Sequence, residues 1–190
     1  MQNTPILSFF DRYLFWAQKF RVPLGALAVS VFVVLMDPTP RLLSIGAMVG
    51  LIGISIRFWA AGYLHKARTL TTAGPYRYTR NPLYLGSFIL LLGLAITGGS
   101  WIAGLVCITL FALIYYPTML REEAELSNGF KEEYDRYIRI VPRFFPRFTR
   151  FPSSGQSFRF RQALRNREYS AFFGFLAVLL LIGLKLYLKK

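Results

Sequence analysis

Apolar and polar residues alternate along this chain in long blocks. Strongly apolar runs cover residues 22–36, 42–64, 83–97, 101–120 and 169–184. Arginine, lysine, proline or glycine bounds each of them. About 20 apolar residues cross a bilayer as a helix. Residues 42–64 reach that length, 83–97 and 101–120 form a pair joined by Gly98-Gly99-Ser100, and 169–184 needs its flanks to complete a crossing. The pattern predicts an all-α fold, an integral membrane helical bundle with about five transmembrane helices. Ahead of the runs, Thr4-Pro5 opens a helical pattern in which Ile6, Leu7, Phe10, Tyr13, Leu14 and Ala17 recur on one side. Two readings fit it: an N-terminal interfacial helix in the membrane plane, or an ordinary helix against the bundle.

The chain reads as one domain over residues 1–190. Residues 1–21 form the interfacial helix, 22–120 four spans with a cytoplasmic loop at 65–81, 121–168 a cytoplasmic cofactor-binding and catalytic segment, and 169–190 the fifth span. Gly46, Gly50 and Gly53 are spaced for close helix packing in the second span. Pro117 is expected to kink or end the fourth.

Charge changes the picture in one respect. The net charge of +14 raises the possibility of a nucleic-acid partner. However, most cations lie at 65–81 and 121–168, between runs of membrane length, so the positive-inside rule accounts for them. The expected partner is the lipid bilayer rather than nucleic acid, with the N-terminus and those two segments cytoplasmic, in a prokaryotic inner membrane. Five spans would leave Lys185, Lys189 and Lys190 on the outside, against that rule. Asp11, Arg12, Lys19 and Arg21 interrupt the N-terminal region, so no signal peptide is expected there.

The chain has one cysteine, Cys107, and one histidine, His65. An intrachain disulfide and a cysteine- or histidine-rich zinc site are excluded, and no metal is expected. No nucleophile elbow, P-loop or dinucleotide fingerprint occurs.

Three polar groups remain as candidate chemistry. Arg57 and His65, eight residues apart, share one helix face at the inner end of the second span. Arg57 reads either as a functional group or as a cation reaching the headgroups. The stretch GPYRYTRNPLYLG, residues 74–86, places Asn81 and Pro82 as N-cap and first residue of the third span. Capping leaves Arg77 and Arg80 over, either as anchors or as ligands for a carboxylate or phosphate. Arg121-Glu122-Glu123 follows the fourth span; its glutamates could accept hydrogen bonds from ribose hydroxyls or face a cation. Downstream, Tyr134 and Tyr137 share a helix face that Val141-Pro142 ends.

Taken together, these blocks resemble the superfamily of isoprenylcysteine carboxyl methyltransferases and phospholipid methyltransferases, which are integral membrane enzymes. Its pattern is G-x-Y-x-x-x-R-[HN]-P-x-Y-x-G, two spans, then E-E-x-x-L, a Y-x-x-Y pair and V-P-R. Here the first block is Gly74, Tyr76, Arg80, Asn81, Pro82, Tyr84 and Gly86, and the second is Glu122, Glu123, Leu126, Phe130, Tyr134, Tyr137, Val141, Pro142 and Arg143. The resemblance implies S-adenosylmethionine as methyl donor and a lipophilic small molecule or lipid as acceptor, entering from the bilayer. It implies a cofactor site of His65, Gly74, Tyr76, Arg80, Asn81, Tyr84, Leu85, Gly86, Glu122 and Glu123. It further implies Glu123 and Arg121 as catalytic residues and Arg57, Tyr116 and Tyr137 at the substrate.

In the family, histidine is commonest at the position of Asn81, and an arginine stands near that of Thr118. Asparagine cannot titrate, so the task expected at position 81 is holding the donor. Glu123, then His65, are the candidate bases for an amine or hydroxyl acceptor; a carboxylate or thiolate needs none. A sterol-reductase-like enzyme using NADPH and a non-catalytic inner-leaflet lipid-binding protein are the alternatives.

Overall fold

The computed structural model describes residues 30–64, 69–148 and 151–189. The interfacial helix at 4–20, most of the first apolar run and His65 lie outside the described residues. Every regular element among those described is helical: α1 (residues 30–35), α2 (Pro40–Tyr63), a 3-10 turn (Gly74–Arg77), α3 (Pro82–Gly98), α4 (Trp101–Gly129), α5 (Lys131–Ile140), α6 (Phe160–Arg165) and α7 (Glu168–Leu188). Three of them, α2, α4 and α7, are long and apolar enough to cross a membrane, and α3 is a shorter apolar helix of 17 residues. Large apolar side chains such as Met48, Ile52, Leu105, Leu113, Leu180 and Leu181 are exposed on the three long helices, as a bundle surrounded by lipid requires. The chain is an all-α membrane helical bundle.

Small residues set its centre. A side chain at Gly46 would collide with the carbonyl of Gly93, and one at Gly53 with the backbone of Gly86 and Leu90. The backbones of α2 and α3 therefore touch along their lengths, the packing expected of the Gly46/Gly50/Gly53 spacing. Gly50 accommodates the Phe175 ring of α7 in the same way. At one end of the bundle, Phe32 and Met36 pack with Ala103, Cys107 and Ile182.

That end also resolves the terminal lysines. Lys185 Nζ donates to the carbonyls of Val33 and Met36 at 3.0 and 2.9 Å, and Lys189 pairs with Asp37. Their charges are thus taken up by the turn between α1 and α2. In the same turn Thr39 Oγ1 accepts from Leu42 N, with Pro40 as first helical residue.

Two spans extend beyond their apolar runs. α4 neither stops at Pro117 nor ends before the glutamates; it continues to Gly129. A membrane-spanning helix tolerates an interior proline; next to it Thr118 Oγ1 donates to its own i−4 carbonyl, Ile114 O, at 2.8 Å. α7 has 21 residues, against 16 in the apolar run, because Glu168 before the run and Lys185, Leu186, Tyr187 and Leu188 after it are helical too, so the flanks supply the missing length.

The C-terminal carbonyls of α2 have no further turn to bond. The segment before α7 supplies the donors. Asn166 Nδ2 reaches Ala61 O at 2.8 Å, Arg159 N reaches Gly62 O at 3.0 Å, and Gln162 Nε2 reaches Leu64 O at 2.9 Å. α6 is thereby fixed across the end of α2, at the end of the bundle where α3 begins.

Candidate cofactor site

The loop that enters α3 is held by the segment that leaves α5. Arg80 N donates to Pro142 O at 2.9 Å and Arg147 N to Tyr78 O at 3.0 Å. Thr79 Oγ1 lies 2.8 Å from Phe144 O, and Arg77 Nε donates to Phe151 O at 2.8 Å. The buried Tyr137 donates its hydroxyl to Tyr76 O at 2.7 Å. Beneath this seam Leu70, Tyr134, Tyr137 and Val141 form a second apolar core. Gly74 takes a positive φ of 59° against the Tyr63 ring, a conformation that suits glycine.

Because α4 runs on past the membrane, its glutamates reach the start of α3. Glu122 and Glu123 are one residue apart and so face different ways on the helix. Glu122 Oε1 accepts from Tyr84 at 2.8 Å. Glu123 is buried and accepts from Arg80 Nη1 at 2.9 Å, from Asn81 Nδ2 at 3.0 Å and from Arg143 Nε at 3.1 Å to both oxygens. A carboxylate has about four lone-pair sites, and these contacts fill them.

Asn81 stands at the N-cap of α3, but its side chain caps nothing. It donates instead to Glu123 and to Arg143 O at 3.0 Å. The capping expectation is therefore corrected: a buried carboxylate beside a guanidinium is the stronger acceptor.

A cavity of about 120 Å³ opens on this cluster, lined among others by Thr71, Tyr76, Arg80, Tyr84, Glu122 and Tyr134. Ligand pockets are usually about 300–1,000 Å³, so a cofactor-sized molecule requires this one to widen. Three buried polar atoms at its wall, Thr71 Oγ1, Arg80 Nε and Tyr134 Oη, make no hydrogen bond of good geometry, the Tyr134 hydroxyl lying against the Arg80 guanidinium. Buried groups of this kind are ordinarily satisfied, so they are available to a ligand. Arg80 and Arg143 balance Glu122 and Glu123, so the charges gathered here cancel. Burial pushes the phenols of Tyr76, Tyr137 and Tyr134 above their ordinary range.

Of the residues expected at the site, Tyr76, Arg80, Asn81, Tyr84, Glu122, Glu123 and Tyr137 border the cavity. Gly86 turns to Arg57 and Gly53 of α2, and Gly74 to Tyr63; Leu85 is buried in α3. Arg121 pairs with Glu125 on the outer face of α4 at 2.9 Å, away from the cluster. Tyr116 receives Arg143 Nη1 at 3.3 Å and touches the site only through it. Arg57 is bound in α2 to Glu168 of α7 through two parallel contacts of 2.9 and 3.0 Å, and to Ser87 and the Leu83 carbonyl in α3. It is neither free for a substrate nor extended to the headgroups.

Sequence reasoning passed over Thr71, Leu126 and Tyr134 as lining residues, and Glu168. Leu126 and Tyr134 stood within the second block. A lone acid opening an apolar run was the signal for Glu168, since a charge in a membrane span calls for a partner.

Residues 41–133 match the phospholipid methyltransferase family. The chain is 38% identical over 112 residues to the nickel-cobalt-cadmium resistance protein NccN of Alcaligenes xylosoxydans xylosoxydans (55% of this chain, 52% of that protein). It is 35% identical over 117 residues to the cobalt-zinc-cadmium resistance protein CzcN of Cupriavidus metallidurans (58% and 52%). A protein-S-isoprenylcysteine O-methyltransferase of Schizosaccharomyces pombe is 31% identical over 94 residues (50% and 40%). The chain spans about half the length of the curated relatives it matches. No solved structure matches it significantly. With both blocks present and gathered at one cavity, the chain is similar to the isoprenylcysteine carboxyl and phospholipid methyltransferases, a similarity that the family match over residues 41–133 supports.

Proposed function

We propose that this protein transfers a methyl group from S-adenosylmethionine to a lipophilic acceptor that arrives from the bilayer, at the cytoplasmic face. One observation carries the reading: two blocks separated in sequence by two apolar helices meet at a cavity whose wall holds buried polar atoms without good hydrogen bonds. When bound, S-adenosylmethionine supplies a methyl on a sulfonium, open to in-line displacement.

The residues divide the work of holding it. Arg80, with Nε unpartnered, and Tyr134 Oη suit a carboxylate. Glu122 suits ribose hydroxyls, which donate to a carboxylate. The rings of Tyr76, Tyr84 and Tyr137 exclude water, and positioning with desolvation is the main help such a displacement needs. Glu123 is a positioning residue: its oxygens are committed to Arg80, Asn81 and Arg143, so it orients the donor cradle and takes no substrate proton in this arrangement. An acceptor already ionised, a carboxylate or thiolate, suits such a site best. Among the described residues no group of three or more His, Cys, Asp or Glu side chains is placed to hold a metal ion, and the metal resistance named in two relatives is not carried over.

Purified protein in detergent, titrated by calorimetry with S-adenosylhomocysteine, S-adenosylmethionine and NADPH, tests this. Binding of the first two is expected, weakened at least tenfold in Arg80→Ala. Binding of NADPH alone would sink the proposal and point to a reductase.

A further inference from the structure

A second cavity lies on the other side of the Arg57–Glu168 pair. It is an open groove of about 590 Å³ between α2, α6 and α7, walled by Ile54, Phe58, Trp59, Leu164, Phe172 and Phe173. The Phe158 ring closes one end, stacked edge-on with Tyr63 and tilted against Phe58. Both α2 and α7 have membrane-spanning length, so the medium outside the groove is hydrocarbon.

Arginines stand next in sequence to the groove's wall residues Phe158, Leu164 and Glu168. Arg159, Arg161, Arg165 and Arg167 are all exposed, and none has an ion pair among the described residues. Arg161 lies one helical turn before Leu164, on the same face of α6, and Arg165 directly follows it. Glu168 is the acid at the wall, and Arg57 already neutralises it. Trp59 and Tyr169 stand half-exposed at the same level, the aromatic pair typical of the headgroup boundary.

We propose that this groove binds one anionic phospholipid, with an acyl chain against Phe58, Trp59 and Phe172 and the phosphate on Arg161 and Arg165. Apolar walls alone would accept any chain, or a second protein copy. Arg161 and Arg165, which share a face of α6 with the wall residue Leu164, select an anionic headgroup, because basic pockets at the ends of membrane helices attract anionic lipids. The bound lipid bridges α2 to α7, whose polar link within the described residues is the Arg57–Glu168 pair.

The test uses the full chain in lipid nanodiscs. W16F and W101F leave Trp59 as the sole tryptophan, and its quenching is read with lipids brominated on the acyl chain. Brominated phosphatidylglycerol should quench more strongly than brominated phosphatidylcholine at equal mole fraction, with a preference of roughly 25-fold, since each of the two arginines near the surface gives about fivefold. R161Q/R165Q should reduce that ratio to near one while phosphatidylcholine quenching stays unchanged. Should the double variant lose its helical circular dichroism, R161Q and R165Q alone carry the same test, each with a partial loss. Equal quenching by both lipids, no quenching by either, or a preference that survives the arginine changes overturns the proposal.

Discussion

Glu123→Ala is the most direct perturbation of the cluster at the start of α3. It removes a buried carboxylate that accepts from Arg80, Asn81 and Arg143, and with it one negative charge of the cluster. The Arg80 side chain is 13% exposed, so its cation is left unpaired away from water. Breaking a buried pair by removing one partner costs about 3–5 kcal/mol. Arg143 is 36% exposed, and water takes over its charge, so its share stays within the roughly 0–1 kcal/mol of a surface pair. A loss near 3–4 kcal/mol follows on the order of these terms. For a chain of this size that is a fall of roughly 7–14 °C in midpoint. Arg80→Ala should cost less, because Asn81 and Arg143 still face the carboxylate. In Arg80→Ala/Glu123→Ala no unpaired Arg80 cation remains, so the two losses should be less than additive by about 0.5–3 kcal/mol. Thermal unfolding in a mild detergent, followed by circular dichroism, reads all four proteins. Strict additivity, or a Glu123→Ala midpoint within roughly 2 °C of the unaltered protein, would refute this account of the cluster.

The Arg57–Glu168 pair allows a parallel test. Arg57→Met or Glu168→Leu alone should destabilise by about 3–5 kcal/mol, and the two together by much less, because only the single changes leave an unpaired charge in the bundle; equal losses in all three would contradict it. Gly53→Ala places a methyl against the Gly86 carbonyl and the Leu90 backbone, which must move apart. A loss of about 1–3 kcal/mol is expected from such overpacking, read by thermal unfolding. Alkaline titration at the tyrosinate absorbance should show Tyr76 and Tyr137 silent until the protein unfolds. Their raised folded values mean that the folded state keeps protons the unfolded chain releases near pH 10. Their contribution is fully present below about pH 10 and falls as pH rises beyond it; smooth ionisation of every tyrosine in the folded protein would contradict the burial.

Much of the fold was legible because membrane helices announce themselves by length and hydrophobicity, and because residues such as Gly46 and Gly53 betray a close contact by spacing. What escaped was set by competition between partners. Asn81 satisfies every local rule for an N-cap, yet its amide goes to Glu123, forty-two residues away, which no local rule weighs. Pro117 should end a helix by itself, but a membrane span has no water to reward stopping, so α4 carries Glu122 and Glu123 to the site as mid-helix residues. Arg121 looked the part through adjacency alone. On a continuous helix its neighbours fan out by about 100° per residue, and Arg121 ends beside Glu125.

The two charged clusters share a logic that ties the membrane part of the fold to the site. α3 lies between them. Its first residues meet Glu123 through Arg80 and Asn81, while Leu83 and Ser87, one turn apart, meet Arg57 and so Glu168 of α7. A shift of α3 along its axis would therefore strain both clusters together. The glycine contacts with α2 at Gly86 and Gly93 leave little room for such a shift. The start of α3 is thus fixed from three directions, by α2, α4 and α7. The proposed methyl transfer would require a rigid mount of this kind, and that need would give a physical reason for charges whose burial in a membrane protein is otherwise costly.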